Sequence, residues 1–178
     1  MNLIPAVDAD IDDIAALVNA AYRGAGAKAG WTHEADYIDG QRTDAGTLRQ
    51  DLRRQPQAAL LTLRDSPEEP LLACVWLEPA GVGVWYLGML TIRPDIQDRK
   101  LGRQVLEAAE VYAAARGARR IRMTVVSVRD TLIAWYERRG YALTGETQPF
   151  PYDDQRFGSP RRDDLNFVVL EKALGSPC

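Results

Sequence analysis

The chain has 178 residues, a length that suits one domain. Apolar residues make up 46% and charged residues 26%, which are the values of an ordinary globular protein. The 22 Lys and Arg residues against 25 Asp and Glu residues give a formal net charge of −3 and a pI near 5.3. This balance argues against binding to nucleic acid or to an anionic membrane through bulk charge, although a local basic cluster can still bind a small anion.

The cysteine and histidine content gives no zinc-ligand spacing, because Cys74, Cys178 and His33 lie far apart in the sequence. Cys74 lies in an apolar run and is expected in the core. Residues 1–10 lack the basic and apolar regions of a signal peptide, and no stretch approaches the roughly 20 apolar residues of a membrane span. We therefore expect one cytoplasmic domain over residues 1–178 that holds no metal and has neither nucleic acid nor a membrane as its partner.

The first half of the chain reads as a strand, two helices and three strands. Apolar periodicity predicts a helix over Asp10–Tyr22 and, more weakly, a second over Asp44–Arg54. Three short apolar runs at Ala58–Leu63, Leu71–Leu77 and Gly83–Arg93 then predict an antiparallel meander.

The second half alternates helices and strands. The clearest apolar stripe predicts a helix over Leu101–Ala113, and the strand Arg119–Val126 follows it. A short helix over Thr131–Arg139 precedes two final strands, Tyr141–Thr147 and Asn166–Lys172. The strand–helix–strand unit between residues 83 and 126 requires a parallel pair joined by a crossover. The predicted class is α+β, a mixed and mostly antiparallel sheet with one parallel pair, flanked by four helices.

The stretch Leu90–Arg103 carries the pattern of an anion-binding loop. A strand ends at Ile92, a tight loop follows, and the helix that begins near Leu101 directs unpaired N–H groups at one point. Such a site binds a phosphate or pyrophosphate. Three basic side chains add positive charge there: Arg99, Lys100 and Arg103. The stretch is neither a Walker loop nor a dinucleotide fingerprint, and by itself it also fits an ordinary loop.

This stretch resembles the cofactor loop of the GNAT superfamily, the acetyl-CoA-dependent N-acyltransferases. Their pattern is Gln/Arg-x-x-Gly-x-Gly/Ala after a strand that ends in apolar-x-apolar-x-Pro. Leu90, Ile92 and Pro94 supply the strand end, while Gln97 and Gly102 supply the first and last loop positions. The predicted order of elements also matches the superfamily's fold over essentially the whole chain.

A second motif lies further along the chain. Ala134–Tyr141 resembles the superfamily's Leu-Tyr-Glu-Lys-Leu-Gly-Phe helix end, and Tyr136 falls on the tyrosine that protonates the departing CoA thiolate in many relatives. The other interpretation is that Tyr136 only packs with Trp135 and Tyr141. Arg129 stands where the superfamily usually has an asparagine.

The resemblance also implies where acetyl-CoA binds: the pantetheine arm pairs with the strand end, and the pyrophosphate lies over the loop amides. The residues so assigned are Leu90, Thr91, Ile92, Gln97, Asp98, Arg99, Lys100, Leu101, Gly102 and Arg103. Lys100 replaces the first glycine of the pattern, and if this position has a positive φ, lysine costs about 1 kcal/mol of strain. Gly88 marks either a bulge that directs an N–H at the thioester carbonyl or a simple packing position.

In the superfamily the acceptor site is built from segments that correspond here to Tyr22–Arg42 and Phe150–Leu165. The first contains a Gly-Trp-Thr-x-Glu motif, Gly30–Glu34, that is similar to a GNAT subgroup. Five arginines in these segments suggest an acceptor with a carboxylate or phosphate: Arg23, Arg42, Arg156, Arg161 and Arg162. The alternative is that they pair with nearby aspartates, namely Asp36, Asp39, Asp153, Asp154, Asp163 and Asp164.

Taken together, these motifs predict an N-acetyltransferase that uses acetyl-CoA and no metal to acetylate a small-molecule amine directly. The alternative function is a non-catalytic acyl-CoA sensor. The general base stays open among Glu78, Glu34, His33 and a water chain. Relatives are often dimers, and the sequence leaves a homodimer open.

Overall fold

The computed structural model describes residues 2–23, 33–154 and 158–175, and of residues 97–99 it describes the backbone alone. In these ranges the strands are β1 Ile4–Pro5, β2 Ile38–Asp39, β3 Ala59–Leu63, β4 Ala73–Gly81, β5 Val84–Ile92, β6 Arg120–Val126, β7 Ala142–Pro149, β8 Ser159–Pro160 and β9 Asn166–Ala173. The helices are α1 Ile11–Arg23, α2 Ala45–Arg54, α3 Leu101–Ala114 and α4 Asp130–Glu137. None of the described helices is long and apolar enough to cross a membrane.

The main sheet has seven strands in the order β1-β3-β4-β5-β6-β9-β7. The β5–β6 pair is parallel, and the other pairs are antiparallel. The helix α3 connects the two parallel strands, as the crossover requires. The predicted α+β class, with one parallel pair and four helices, is therefore confirmed.

Helices cover both faces of this sheet because side chains alternate along each strand. Leu60 packs with α1 on one face, and its neighbour Leu61 packs in the cluster that contains α3 on the other. Cys74 and Val75 on β4 divide between the two faces in the same way. The sheet is therefore a fixed support on which the ends of β5 and β6 are held in place.

The parallel strands β5 and β6 stay paired over only part of their length. Their register ends at Tyr86 opposite Arg122, whereas β5 continues to Ile92 and β6 to Val126. Beyond this point the two strands diverge. A cleft opens between them in the middle of the sheet.

A two-residue ladder, which the sequence did not predict, joins the two segments expected to form the acceptor site. Ile38 of β2 pairs with Pro160 of β8, and Arg161 donates from Nε to Asp39 Oδ2 at 2.7 Å. Gly158 has φ +85°, and a Cβ built there would lie 2.3 Å from the Asp39 carbonyl oxygen, so glycine is required. The segments around residues 38 and 160 are thus held against each other.

Candidate active site

The cleft between β5 and β6 contains a cavity of about 400 Å³. Residues 86–90 of β5 and 122–126 of β6 form two of its walls. Tyr22 and Arg23 line it from the end of α1, and Tyr136 lines it from α4. Phe150, the first residue of the second predicted acceptor segment, also lines it. The cavity therefore brings together residues of both predicted acceptor segments, the strand end and the predicted catalytic tyrosine.

A β-bulge forms the β5 wall of the cavity. Between Gly88 and Thr91, β5 carries one more residue than the facing part of β4, and Met89 takes the left-handed φ of +50°. A left-handed conformation at a non-glycine residue costs roughly 1–2 kcal/mol, and such strain is typical of functional sites. Of the two interpretations of Gly88, the structure shows the bulge, with the positive φ one residue later.

Two neighbouring tyrosines hold this bulge. A Cβ built on Gly88 would lie 2.8 Å from Tyr86 Cε1, so the Tyr86 ring leaves room for glycine only. On the other side, the Tyr22 hydroxyl donates to the Leu90 carbonyl oxygen at 3.2 Å. Burial, followed by the nearby charge of Glu34, raises the pKa of Tyr22 to about 12, which keeps this donor protonated.

The loop before α3 ends at Lys100, where the helix begins with backbone N–H groups that lack an acceptor in the helix. Lys100 has φ +59°, so the position that is glycine in the superfamily pattern is left-handed here. Gln104 N–H donates to the Lys100 carbonyl at 3.3 Å as the first bond of the helix, and the amides of residues 101–103 have no acceptor within the helix. Arg103 is exposed and pairs with Glu107, Nε to Oε1, at 2.7 Å.

The strand-end residues assigned to acetyl-CoA can offer it only backbone atoms. The side chains of Leu90, Thr91 and Ile92 are buried in the protein, and Thr91 Oγ1 donates to the Met89 carbonyl at 3.0 Å. The side chains of Gln97, Asp98 and Arg99 lie outside the described structure.

Tyr136 packs in an aromatic cluster and also lines the cavity. Its ring packs edge-to-face against Trp135 and Tyr141, with centroids 5.0 and 5.5 Å away. Within the described part of the chain, its hydroxyl has no hydrogen-bond partner. Burial raises the pKa of Tyr136 well above its ordinary value, so the phenol carries its proton at neutral pH.

A buried ion network that the sequence did not predict lines part of the cavity. Glu34 Oε2 accepts from Arg23 Nη1 at 3.1 Å, and Glu34 Oε1 accepts from Arg129 Nη1 at 3.0 Å. The three side chains are 10%, 7% and 6% exposed, respectively. Arg129, the departure from the superfamily's asparagine, directly precedes α4. Glu34 and Arg129 are 95 positions apart, and no pattern in a single sequence links residues at such a distance.

No candidate base in the described lining is free to accept a proton from an acceptor amine. Glu34 lines the cavity, but both of its oxygens accept from arginines. Glu78 lies outside the lining and accepts from Trp76 Nε1 at 3.0 Å. His33 also lies outside it, with Nε2 3.7 Å from Asp36 Oδ1. In the described ranges, no group of three His, Cys, Asp or Glu side chains is placed to hold a metal ion.

The five acceptor-segment arginines divide into different roles. Arg161 pairs with Asp39 and Arg162 with Asp164, as the pairing alternative predicts. Arg23 and Arg42 line the cavity. Arg156, like the Gly-Trp-Thr part of the Gly30–Glu34 motif, lies outside the described residues.

A splayed parallel pair, a bulge beside the opening and a helix N-terminus after the strand together fit the acyltransferase class that the sequence resembles. Residues 27–141, more than half of the chain, match the sequence profile of the acetyltransferase (GNAT) family. The chain belongs to this family and is an acyltransferase enzyme. The alternative of a non-catalytic sensor finds no support in this match.

Solved structures share the fold. Streptococcus mutans smu.2055 is similar with a TM-score of 0.69 at 12% identity, covering 98% of this chain and 100% of its own. Brucella melitensis ribosomal-protein-alanine N-acetyltransferase has a TM-score of 0.68 at 15% identity, covering 98% and 100%. A GNAT family acetyltransferase from Elizabethkingia anophelis, with acetyl-CoA bound, has a TM-score of 0.59 at 12% identity, covering 71% and 83%. Among curated proteins no sequence match is found.

Proposed function

We propose that this enzyme transfers an acetyl group from acetyl-CoA directly to the amine of a small-molecule acceptor, with Tyr136 as the proton donor to the departing thiolate. One observation carries the proposal: Tyr136 lines the same cavity of about 400 Å³ as the strained bulge at residues 88–90. The cavity volume favours a small acceptor over a large one.

The residues around the α3 N-terminus fit the diphosphate of acetyl-CoA. Amides 101–103 have no acceptor within the helix, and the exposed Lys100 beside them adds a positive charge. We propose that the backbone of residues 90–92 holds the pantetheine arm and that residues 97–103 hold the diphosphate. When bound, acetyl-CoA supplies an activated thioester. A GNAT family acetyltransferase that shares the fold was solved with acetyl-CoA bound, which supports this choice of acyl donor.

In this mechanism the bulge stabilises the carbonyl oxygen, and Tyr136 donates the proton to the leaving thiolate. The backbone N–H groups of Met89 and Leu90 donate hydrogen bonds to the carbonyl oxygen of the thioester as negative charge develops on it. Such a donor typically lowers the barrier by roughly 3–4 kcal/mol. The acceptor nitrogen forms the new bond to the acetyl carbon as the C–S bond breaks. Tyr136 passes its proton to the sulfur, and the nitrogen releases a proton to water.

Acetyl-CoA binding is tested by thermal unfolding with acetyl-CoA, with ATP and NAD as controls. A ligand at about 100 times its Kd adds roughly 2.7 kcal/mol to stability, which gives a clear rise in Tm. A rise with acetyl-CoA alone is the expected result. The absence of any rise with acetyl-CoA would contradict the proposed function.

The role of Tyr136 is tested by Tyr136→Phe, with Tyr112→Phe as the matched control, since Tyr112 is half-buried on α3 and lies outside the cavity lining. We expect Tyr136→Phe to lower kcat by about a hundredfold or more, the typical contribution of a general acid, and to leave the Kd of acetyl-CoA within about twofold. Unchanged turnover in this variant would remove Tyr136 from the mechanism.

A further inference from the structure

The acceptor half of the cavity carries more positive than negative charge. Its charged lining in the described residues comprises Arg23, Arg42, Arg122 and Arg129 against one carboxylate, Glu34. Arg122, on β6, pairs with Glu146 and Glu171 and is neutralised there. The remaining three arginines and one glutamate leave a formal surplus of two positive charges.

Of these arginines, Arg42 is the one best placed to bind a ligand in the cavity. Its backbone N–H donates to Asn19 Oδ1 at 2.7 Å, which fixes it against α1, and its guanidinium lies over the Tyr22 ring, 5.6 Å from the centroid. Among the described residues, no acidic side chain lies within ion-pair distance of Arg42, in contrast to Arg161 and Arg162. A partly buried guanidinium without a counter-ion at a cavity wall is a site for an anion.

The cations of this wall also act on one another. Desolvation lowers the pKa of Arg23, Glu34 opposes this effect, and the positive charge of Arg42 lowers that pKa further. A negative group bound at Arg42 would relieve this repulsion. The same cavity also has an apolar part of its lining, which includes Ile38 and Phe150, and Phe150 stacks on Phe167 with centroids 5.5 Å apart.

We propose that the acceptor is an amine that also bears a carboxylate, with an apolar body, and that Arg42 binds the carboxylate. This inference rests on the proposed function and narrows its substrate class to amino-acid-like molecules. A carboxylate matches the planar guanidinium with two parallel hydrogen bonds. A polycationic amine would meet the surplus charge and be repelled.

The test compares amines that differ only by the carboxylate: phenylalanine with phenethylamine, and leucine with 3-methylbutylamine, with spermidine as the polycation. Binding is measured by calorimetry with and without acetyl-CoA, and turnover by CoA release. The acid of each pair is expected to bind about ten- to a hundredfold more tightly than its decarboxylated partner, the range for a hydrogen bond to a charged group.

Arg42→Gln is expected to abolish this preference and to weaken binding of the acid at least tenfold, with little change for the decarboxylated amine. Arg42→Lys keeps the charge and is expected to retain part of the preference. Arg162→Gln removes an exposed arginine outside the cavity and is the matched control.

Equal binding of both members of each pair, failure of either acid to bind, tighter binding of spermidine, or an unchanged preference in Arg42→Gln would each overturn the proposal. Failure of acetyl-CoA to bind would instead contradict the proposed function. The measurements without acetyl-CoA would then still decide whether Arg42 binds a carboxylate.

Discussion

The substitution Glu34→Gln tests the buried ion network most directly. Glutamine keeps the shape of the side chain but removes the charge that both Arg23 and Arg129 contact. One of the two oxygens also becomes an NH₂ group, which faces a guanidinium donor and cannot accept from it. The variant therefore removes the negative charge of Glu34 from beside two buried cations.

The expected cost follows from the burial of all three side chains. Removing one partner of a buried ion pair typically costs about 3–5 kcal/mol because the remaining charge stays desolvated. In a chain of this length, each kcal/mol lowers Tm by roughly 2–4 °C, so a fall of about 6–20 °C is expected. The assay is urea and thermal unfolding followed by circular dichroism.

The matched control is Asp164→Asn, which removes the carboxylate from the exposed pair with Arg162. The side chains in that pair are 44% and 55% exposed, so its loss should leave Tm nearly unchanged. The double variant Glu34→Gln, Arg129→Met should cost less than the sum of the two single changes, because it also removes one uncompensated cation. A Glu34→Gln protein within 1 kcal/mol of wild type would refute the reasoning.

Two further predictions concern backbone strain and pH. Lys100→Gly should raise the free energy of unfolding by about 0.5–1 kcal/mol, measured by urea unfolding. The reason is that glycine relieves roughly 1–2 kcal/mol of backbone strain at φ +59°, which exceeds the cost of its greater entropy in the unfolded chain. Lys100→Ala keeps the Cβ and should show no such gain. Burial raises the pKa of the Cys74 thiol and of the Tyr22 phenol to about 12, from 9.0 and 10.0. The unfolded chain loses these protons first, so stability should be full below about pH 9 and fall as the pH rises toward 12; Cys74→Ala should flatten this fall, and a level wild-type profile would contradict the assignment.

Regular elements were predictable because their period is visible in the sequence. The apolar spacing predicted Asp10–Tyr22, and α1 is Ile11–Arg23; the predicted Arg119–Val126 is β6 Arg120–Val126. The two-residue strands β2 and β8 were missed because a period cannot show itself in two residues. β4 ends at Gly81 rather than at the predicted Leu77, since pairing with β5 continues past the apolar run.

The loop around Lys100 could be identified from the sequence, but the ion network of Arg23, Glu34 and Arg129 could not. The motif around Lys100 and the glycine at position 88 are local patterns, and the structure has a positive φ at Lys100 and a bulge after Gly88, one of the two interpretations of that glycine. The contact of Glu34 with Arg129 depends on how α4 is placed over the cleft, which tertiary packing decides. The sequence also could not distinguish Arg42 from Arg161. Arg161 pairs with Asp39, whereas Arg42 has no acidic neighbour among the described residues, and only the structure shows this difference.

The bridge from Glu34 to Arg129 has a consequence for changing the enzyme's acceptor. Arg129 directly precedes α4, and Tyr136 lies about two helical turns beyond it. The proposed acceptor segment and the helix that carries the proposed proton donor are therefore joined through the carboxylate of Glu34. A loop grafted from another enzyme would keep the proposed position of Tyr136 only if it placed a carboxylate where Glu34 lies. Changes of acceptor specificity should therefore vary the residues near Glu34 and keep Glu34 itself.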